Sequence, residues 1–251
     1  MIKKIMYGAL MAFTMFSAIP LPFHGWDEDA RPFMILFLPL VGVLHGFLWM
    51  SAAMLLTYFN VNALLASVLL STFPFLLSGF IHIDGFMDVT DAIKSCRSKE
   101  ERIRILKDPN CGSFAVISAI ILFAVQFASL FVIFQNKNFL PLIFIPTISR
   151  TLSSLCVSIL PTLAESQYNT EYQNKFNKLH ISILFILFFA TILCAVFYLD
   201  KYSFTLSGVI LGYMFALQRA YSSLGGISGD VSGFCITISE MVGLLVLALA
   251  V

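Results

Sequence analysis

An all-α, polytopic integral-membrane helical bundle of about seven spanning helices is the fold this sequence predicts, and three observations carry it. Of 251 residues, 59% are hydrophobic and only 12% are charged, against roughly 45–50% and about 25% in soluble globular chains. The apolar residues collect in eight nearly uncharged stretches, near 5–23, 33–58, 61–81, 113–135, 139–160, 180–199, 203–218 and 233–251, most of them close to the ~20 residues a helix needs to cross a bilayer. Lys and Arg concentrate in a few of the connections between them. Soluble enzymes, disordered regulators and disulfide scaffolds are excluded. The net charge of +1 leaves no footprint for nucleic acid.

The first stretch follows Met1-Ile2-Lys3-Lys4 and imitates a signal peptide, but no A-x-A cleavage site follows it, so it reads as retained. Sidedness comes from the basic residues, which accumulate on the cytoplasmic side of spans. Segment 82–112 holds Lys94, Arg97, Lys99, Arg102, Arg104 and Lys107, segment 161–179 holds Lys175 and Lys178, and segment 219–232 begins with Arg219. The opposite connections hold only Lys137 and Lys201. Keeping the first stretch at the interface leaves 12 basic residues inside and 2 outside, whereas a spanning first stretch gives 10 and 4. The expectation is therefore seven spans plus an N-terminal interfacial or re-entrant helix. Residues 1–251 form one transmembrane catalytic domain, with cytoplasmic segments near 82–112, 161–179 and 219–232. Five cysteines, none in a CxxC pair, show neither a zinc pattern nor a disulfide framework.

Chemistry concentrates after the third stretch. In His82-Ile83-Asp84-Gly85-Phe86-Met87-Asp88-Val89-Thr90-Asp91 the three aspartates stand at i, i+4 and i+7, which on a helix is one face. Their mutual repulsion is unfavourable without a cation, and hard divalent ions such as Mg²⁺ take carboxylate oxygens and bridge to phosphates. The plainer reading is an acidic helix start favoured by the macrodipole. Ser98-Lys99-Glu100-Glu101 has capping-box form and opens a short amphipathic helix that should stop before Pro109. Its bases suit lipid headgroups or substrate phosphates. Four glycines fall within Gly225–Gly233 around Ser228, Gly229 and Asp230, a turn whose backbone could approach an anion at a helix start. Arg150 and Glu240 lie inside spans, where ionisable groups are costly. They either pair with each other, or Arg150 binds a substrate phosphate bidentately. His45 is a weaker candidate for a bond between helices.

These residues resemble, nearly end to end, the adenosylcobinamide-GDP ribazoletransferase family, the integral-membrane cobalamin synthases. The resemblance runs through Ser17-Ala18-Ile19-Pro20-Leu21-Pro22, Leu38-Pro39-Leu40-Val41-Gly42, the acidic segment, Arg102 to Asp108 with Gly112, Ser149-Arg150, and Gly225-Gly226 through Ser228-Gly229-Asp230 to Gly233 and Glu240. Ser17-Ala18 stand where the family has Thr-Arg, Ala92 where it has Gly, and Ser228 where it has Thr. The resemblance implies transfer of the adenosylcobinamide phosphate from its GDP-linked form to α-ribazole or its 5′-phosphate, with release of GMP and Mg²⁺ as cofactor. It implies Asp84, Asp88, Asp91 and His82 as catalytic residues, and Asp84, Asp88, Asp91 and Asp230 as metal ligands. The substrate-binding set is Lys94, Arg104, Lys107, Asp108, Arg150, Ser228, Gly229 and Glu240. The expected location is the plasma (inner) membrane of a bacterium or archaeon, with the site facing the cytoplasm and homo-oligomerisation left open.

Two rivals stand beside this reading. A CDP-alcohol phosphotransferase also begins its signature Asp-x-x-Asp-Gly, but Asp84-Gly85 leads to Asp88-Val89 and Asp91 rather than to that family's Ala-Arg. A secondary transporter would use Arg150 and Glu240 as a coupling pair, yet no internal symmetry of the kind such proteins show is visible.

Overall fold

Prolines inside apolar helices organise the packing of this chain, described by a computed structural model over residues 2–23, 25–163 and 178–251. The helices are α1 (Ile2–Phe16), α2 (Arg31–Tyr58), α3 (Ala63–Leu77), α4 (Ile81–Lys94), α5 (Lys99–Leu106), α6 (Ser113–Asn136), α7 (Pro141–Ile159), α8 (Lys178–Leu199), α9 (Thr205–Leu224) and α10 (Gly229–Ala250). A proline in a helix frees the carbonyl four residues earlier, and in a membrane that carbonyl needs another donor. Pro39 frees Ile35 in α2, whose oxygen accepts from Ser154 Oγ of α7 at 2.9 Å. Pro74 frees Leu70 in α3, whose oxygen accepts from Trp49 Nε1 of α2 at 2.9 Å. Pro39 and Pro74 thereby each fasten their helix to a neighbour.

The centre of the bundle is α7, buried along almost its whole length. Against it α2 runs antiparallel: Ile35 meets Ser154, Gly42 meets Pro146 and Gly46 meets Ile143. A Cβ on Gly42 would stand 2.5 Å from the Pro146 oxygen and one on Gly46 2.6 Å from the Ile143 oxygen, so glycine lets the two backbones touch, as small residues do in membrane helix pairs. The helices α9 and α10 pack on the other side, with Gly208 against Val246, Gly212 against Val242 and Gly243 against Val209.

By length and composition, Arg31–Tyr58, Ser113–Asn136, Pro141–Ile159, Lys178–Leu224 and Gly229–Ala250 can cross a membrane. Lys178–Leu224 holds two helices, broken by a 3₁₀ turn at Asp200–Phe204 where Asp200 has φ +49°. His180 touches Phe33 at the start of α2, while Gly208 at the start of α9 lies beside Val246 near the end of α10. The break therefore makes a hairpin with two crossings. The pair α3 and α4 also passes the test jointly but is bent by 90°. Its apolar part is α3, and α4, with three aspartates, turns aside. Among the described residues, length and composition thus give six crossings with the hairpin counted as two, and the expected seventh where the bent pair counts as one span.

The N-terminal helix does not make an eighth. Neither alone nor together with a bent partner is it long and apolar enough to cross. Lys4 pairs with Asp29 at 2.8 Å, a Cβ on Gly8 would meet Phe33, and the Ala18 N–H donates to the Leu77 oxygen at 2.7 Å. Thus α1 enters beside the first turns of α2 and the chain returns to the same end, which is the re-entrant alternative. The N-cap half of the expected capping box is present: Ser98 Oγ accepts from the Glu101 N–H at 3.3 Å, and α5 ends at Leu106. Of the 161–179 segment, residues 164–177 lie outside the described residues.

Candidate functional site

The bend before α4 fixes where the carboxylates go. Gly79 and Phe80 both take left-handed conformations, φ +61° and +65°. For a bulky aromatic this is strained, and it swings the chain out of the line of α3. The helix that follows crosses the start of α10 at close range: a Cβ on Gly85 would stand 2.8 Å from the Asp230 Cα and oxygen, and one on Gly233 3.2 Å from the His82 Cα. Thr237 Oγ1 donates to the His82 oxygen at 3.0 Å, and Phe86 stacks on Phe234 with centroids 5.9 Å apart.

This crossing brings the predicted aspartates together. Asp84 is exposed, while Asp88, Asp91 and Asp230 are half-buried. Burial, with the charges of Asp84, Asp230 and Asp91 around it, pushes the Asp88 carboxyl up to about 6. The Asp91 carboxylate lies over Gly112 before α6, where a Cβ would stand 2.1 Å from its Oδ1. Among the described residues none of the four forms a salt bridge. No group of three His, Cys, Asp or Glu among those residues forms a ready-made metal cage. The donor chemistry nevertheless fits a hard cation: Asp84, Asp88 and Asp230 act on one another across the helix crossing, with Asp91 one turn further along α4.

His82 is buried at 7% exposure, and its Nε2 has no hydrogen-bond partner. It lines a chamber of about 70 Å³ together with Asp84, Asp230, Ser153 and Ser232, closed on one side by Met15 and Phe16 of α1. Ser232 keeps a buried hydroxyl without a partner there, while the Ser153 hydroxyl lies against Tyr213. The chamber has room for a few small polar groups and presents the unpartnered His82 Nε2 and Ser232 hydroxyl to them.

The other predicted residues fall into separate places. Arg150 and Glu240 form a buried ion pair, 1% and 5% exposed, with Ser149 Oγ donating to Glu240 Oε1 at 2.8 Å and His45 Nδ1 3.4 Å from an Arg150 nitrogen. Of the two alternatives for Arg150, pairing is what the structure displays. Ser228 is the N-cap of α10 and accepts from the Val231 N–H at 3.2 Å, and Gly229 opens the helix. The Asp108 carboxylate accepts from the Asn110 backbone N–H at 2.9 Å and side-chain amide at 2.7 Å. Those bonds hold it below its ordinary range, so it fastens the turn after α5. Arg104 and Lys107 are exposed on that short helix and just beyond it, and Lys94 is exposed in the last turn of α4.

Two contacts were not legible in the sequence. Lys99 reaches over Gly225, whose φ is +85° and where a Cβ would stand 2.0 Å from the Lys99 Nζ. The Gly226 turn pairs with the segment after α7, the Ile227 N–H donating to the Pro161 oxygen and the Leu163 N–H to the Ile227 oxygen, each at 3.0 Å. Only the repeated glycine signalled these approaches.

Fold and site together define an integral-membrane protein whose ionisable residues gather at one end of the bundle. The family model for cobalamin-5-phosphate synthase matches residues 8–248. A Clostridium botulinum (strain Alaska E43) protein described as adenosylcobinamide-GDP ribazoletransferase is 37% identical over 256 residues, covering 96% of this chain and 97% of the relative. One from Clostridium perfringens (strain SM101) with the same description is 36% identical over 249 residues, covering 98% and 99%. Another, from Lachnoclostridium phytofermentans, is 29% identical over 243 residues, covering 96% and 92%. No solved structure matches. The chain belongs to the cobalamin-5-phosphate synthase family of transferases, and its place is in nucleotide-loop assembly during cobalamin biosynthesis.

Proposed function

We propose that the chain transfers the adenosylcobinamide phosphate group of adenosylcobinamide-GDP to α-ribazole or its 5′-phosphate, giving adenosylcobalamin or its 5′-phosphate and GMP, with Mg²⁺ as cofactor. The ribose hydroxyl attacks the corrinoid-side phosphorus, the new P–O bond forms as the P–O bond to GMP breaks, and GMP leaves with the bond electrons. The supporting observation is the crossing of α4 over α10, where Asp84, Asp88 and Asp230 meet without a basic partner among the described residues.

Asp84, Asp88, Asp91 and Asp230 would hold the ion, whose chemistry is to neutralise the diphosphate and the charge growing on the leaving group. Gly85 and Gly112 keep the backbone and side-chain approaches that orient Asp230 and Asp91. Two groups are suited to take the hydroxyl proton. His82 offers its unpartnered Nε2 in the chamber shared with Asp84 and Asp230, and Asp91 is the alternative acceptor. Lys99 over Gly225, with Arg104 and Lys107 on and beside α5, supplies positive charge for the anionic substrate, while Lys94, expected in that set, lines the separate cavity behind α4. The same concentration of Lys and Arg supports a plasma-membrane protein with this end in the cytoplasm.

The test is to incubate the purified protein with adenosylcobinamide-GDP, α-ribazole and Mg²⁺, with and without EDTA, and to follow cobalamin and GMP by mass spectrometry. Both products appear together and only with metal. A folded preparation that forms neither overturns the reading.

A further inference from the structure

On the far side of α4 from the carboxylates lies a second cavity, of about 280 Å³, between α4, α6, α9 and α10. Its walls are apolar, chiefly Ile121, Leu122, Phe215, Phe234 and Ile238. Ile121 and Phe215 are 56% and 62% exposed on helices that cross the membrane, so the cleft opens sideways to lipid. One corner is different. Lys94 and Arg219 stand there beside Thr90 and Ser118. Both hydroxyls are buried, at 5% and 8% exposure, and neither has a hydrogen-bond partner. Neither cation forms a salt bridge among the described residues.

We propose that this cleft binds one anionic glycerophospholipid, with an acyl chain in the apolar slot and the phosphate between Lys94 and Arg219. Thr90 and Ser118 then donate to the phosphate or ester oxygens. Depth agrees with this arrangement: Ser118 is five residues inside α6 and Arg219 five residues before the end of α9, the level at which headgroup meets hydrocarbon. In that setting an unmet hydroxyl is costly, and two cations beside two donors match one phosphodiester. At about 280 Å³ and open sideways, the slot seats a stretch of acyl chain rather than enclosing a whole ligand. Phe86, Thr90 and Ile93 lie about half a turn around α4 from Asp84, Asp88 and Asp91, so a substrate seated on the carboxylates does not fill the cleft. A lipid there instead braces the back of the helix that carries them.

Native mass spectrometry of the intact protein, released from detergent after titration with phosphatidylglycerol or phosphatidylcholine, tests this without turnover. It is therefore independent of the reaction proposed above. One phosphatidylglycerol per chain is expected to persist, and phosphatidylcholine to dissociate. Lys94→Gln with Arg219→Gln should weaken retention about 30-fold, while the charge-matched Lys137→Gln with Lys201→Gln at the opposite end should not. Ser118→Leu, an apolar change in an apolar helix, should block the slot with both cations intact. Equal retention of the two lipids, or unchanged retention in both Lys94→Gln/Arg219→Gln and Ser118→Leu, overturns the proposal. Displacement of the adduct by α-ribazole 5′-phosphate or inorganic phosphate also overturns it, by making the corner a substrate-phosphate site.

Discussion

Replacing Glu240 by Gln separates the structural from the substrate-binding role of the Arg150 pair. Arg150 is 1% exposed, so its guanidinium cannot turn to water when the carboxylate is lost. Its other contacts are marginal: the Pro146 oxygen at 3.3 Å, Ser149 Oγ at 3.4 Å and His45 Nδ1 at 3.4 Å. Arg150 Nε already has no partner. Breaking a buried pair from one side costs about 3–5 kcal/mol, and the lower figure is a change of roughly 100-fold in the folded population. Arg150→Met costs less, because Glu240 still accepts from Ser149 Oγ at 2.8 Å. The double variant Arg150→Met/Glu240→Gln should be more stable than Glu240→Gln alone, since no unpaired charge stays buried. Reversible SDS unfolding in mixed micelles, followed by near-ultraviolet circular dichroism, gives all three energies and closes a double-mutant cycle. Strict additivity would refute the pairing. A double variant that regains stability and also keeps most of its turnover would remove Arg150 and Glu240 from the substrate-binding set.

Four further outcomes follow from named contacts. Asp84→Asn and Asp88→Asn should each lower turnover by at least about 100-fold without unfolding the protein, and near-normal product formation in either removes that residue from the metal set. Gly112→Ala forces a Cβ onto the Asp91 carboxylate, 2.1 Å away; the Mg²⁺ concentration for half-maximal activity should rise while the unfolding midpoint stays put. Gly85→Ala drives a Cβ into the Asp230 backbone at 2.8 Å, which cannot yield, so both stability and activity should fall. Ser154→Ala leaves the Ile35 oxygen freed by Pro39 without its donor, a loss of about 0.6–1.7 kcal/mol on membrane scales that SDS unfolding can read.

Most of the fold was legible because its driving term is one-dimensional: where the solvent is hydrocarbon, span length and charge placement carry the signal. The stretches 33–58, 113–135 and 180–199 fall within two residues of α2, α6 and α8. The helix starting at Ser98 was legible because capping is local. Illegible features were those that depend on two distant segments meeting. The stretch 61–81 stops at Leu77 because Gly79 and Phe80 turn left-handed, and a phenylalanine gives no warning of that. Spacing placed Asp84, Asp88 and Asp91 on one face but could not show that Asp230 would come to Gly85, nor that Lys99 would cover Gly225. It also left Arg150 undecided between a pair and a phosphate, because an intramembrane charge announces only that it needs a partner.

The carboxylates are held by backbone contact rather than by side-chain bonds, and that explains where glycine is placed. Asp84, Asp88, Asp91 and Asp230 repel one another, so no arrangement of their own side chains can hold the cluster closed before a cation arrives. What holds them near is the approach of α4 to α10 across Gly85 and Gly233, fixed by the Thr237 bond to the His82 oxygen and by the Phe86–Phe234 stack. Burial of apolar surface in that crossing offsets the electrostatic cost, at roughly 25 cal/mol per Å². It does so on the face of α4 opposite the charges. The two demands on this 14-residue helix, apolar packing on one side and uncompensated carboxylates on the other, need a helix lying across the end of the bundle rather than through it. The 90° turn between α3 and α4 supplies that orientation, and the strain at Phe80 is its structural consequence.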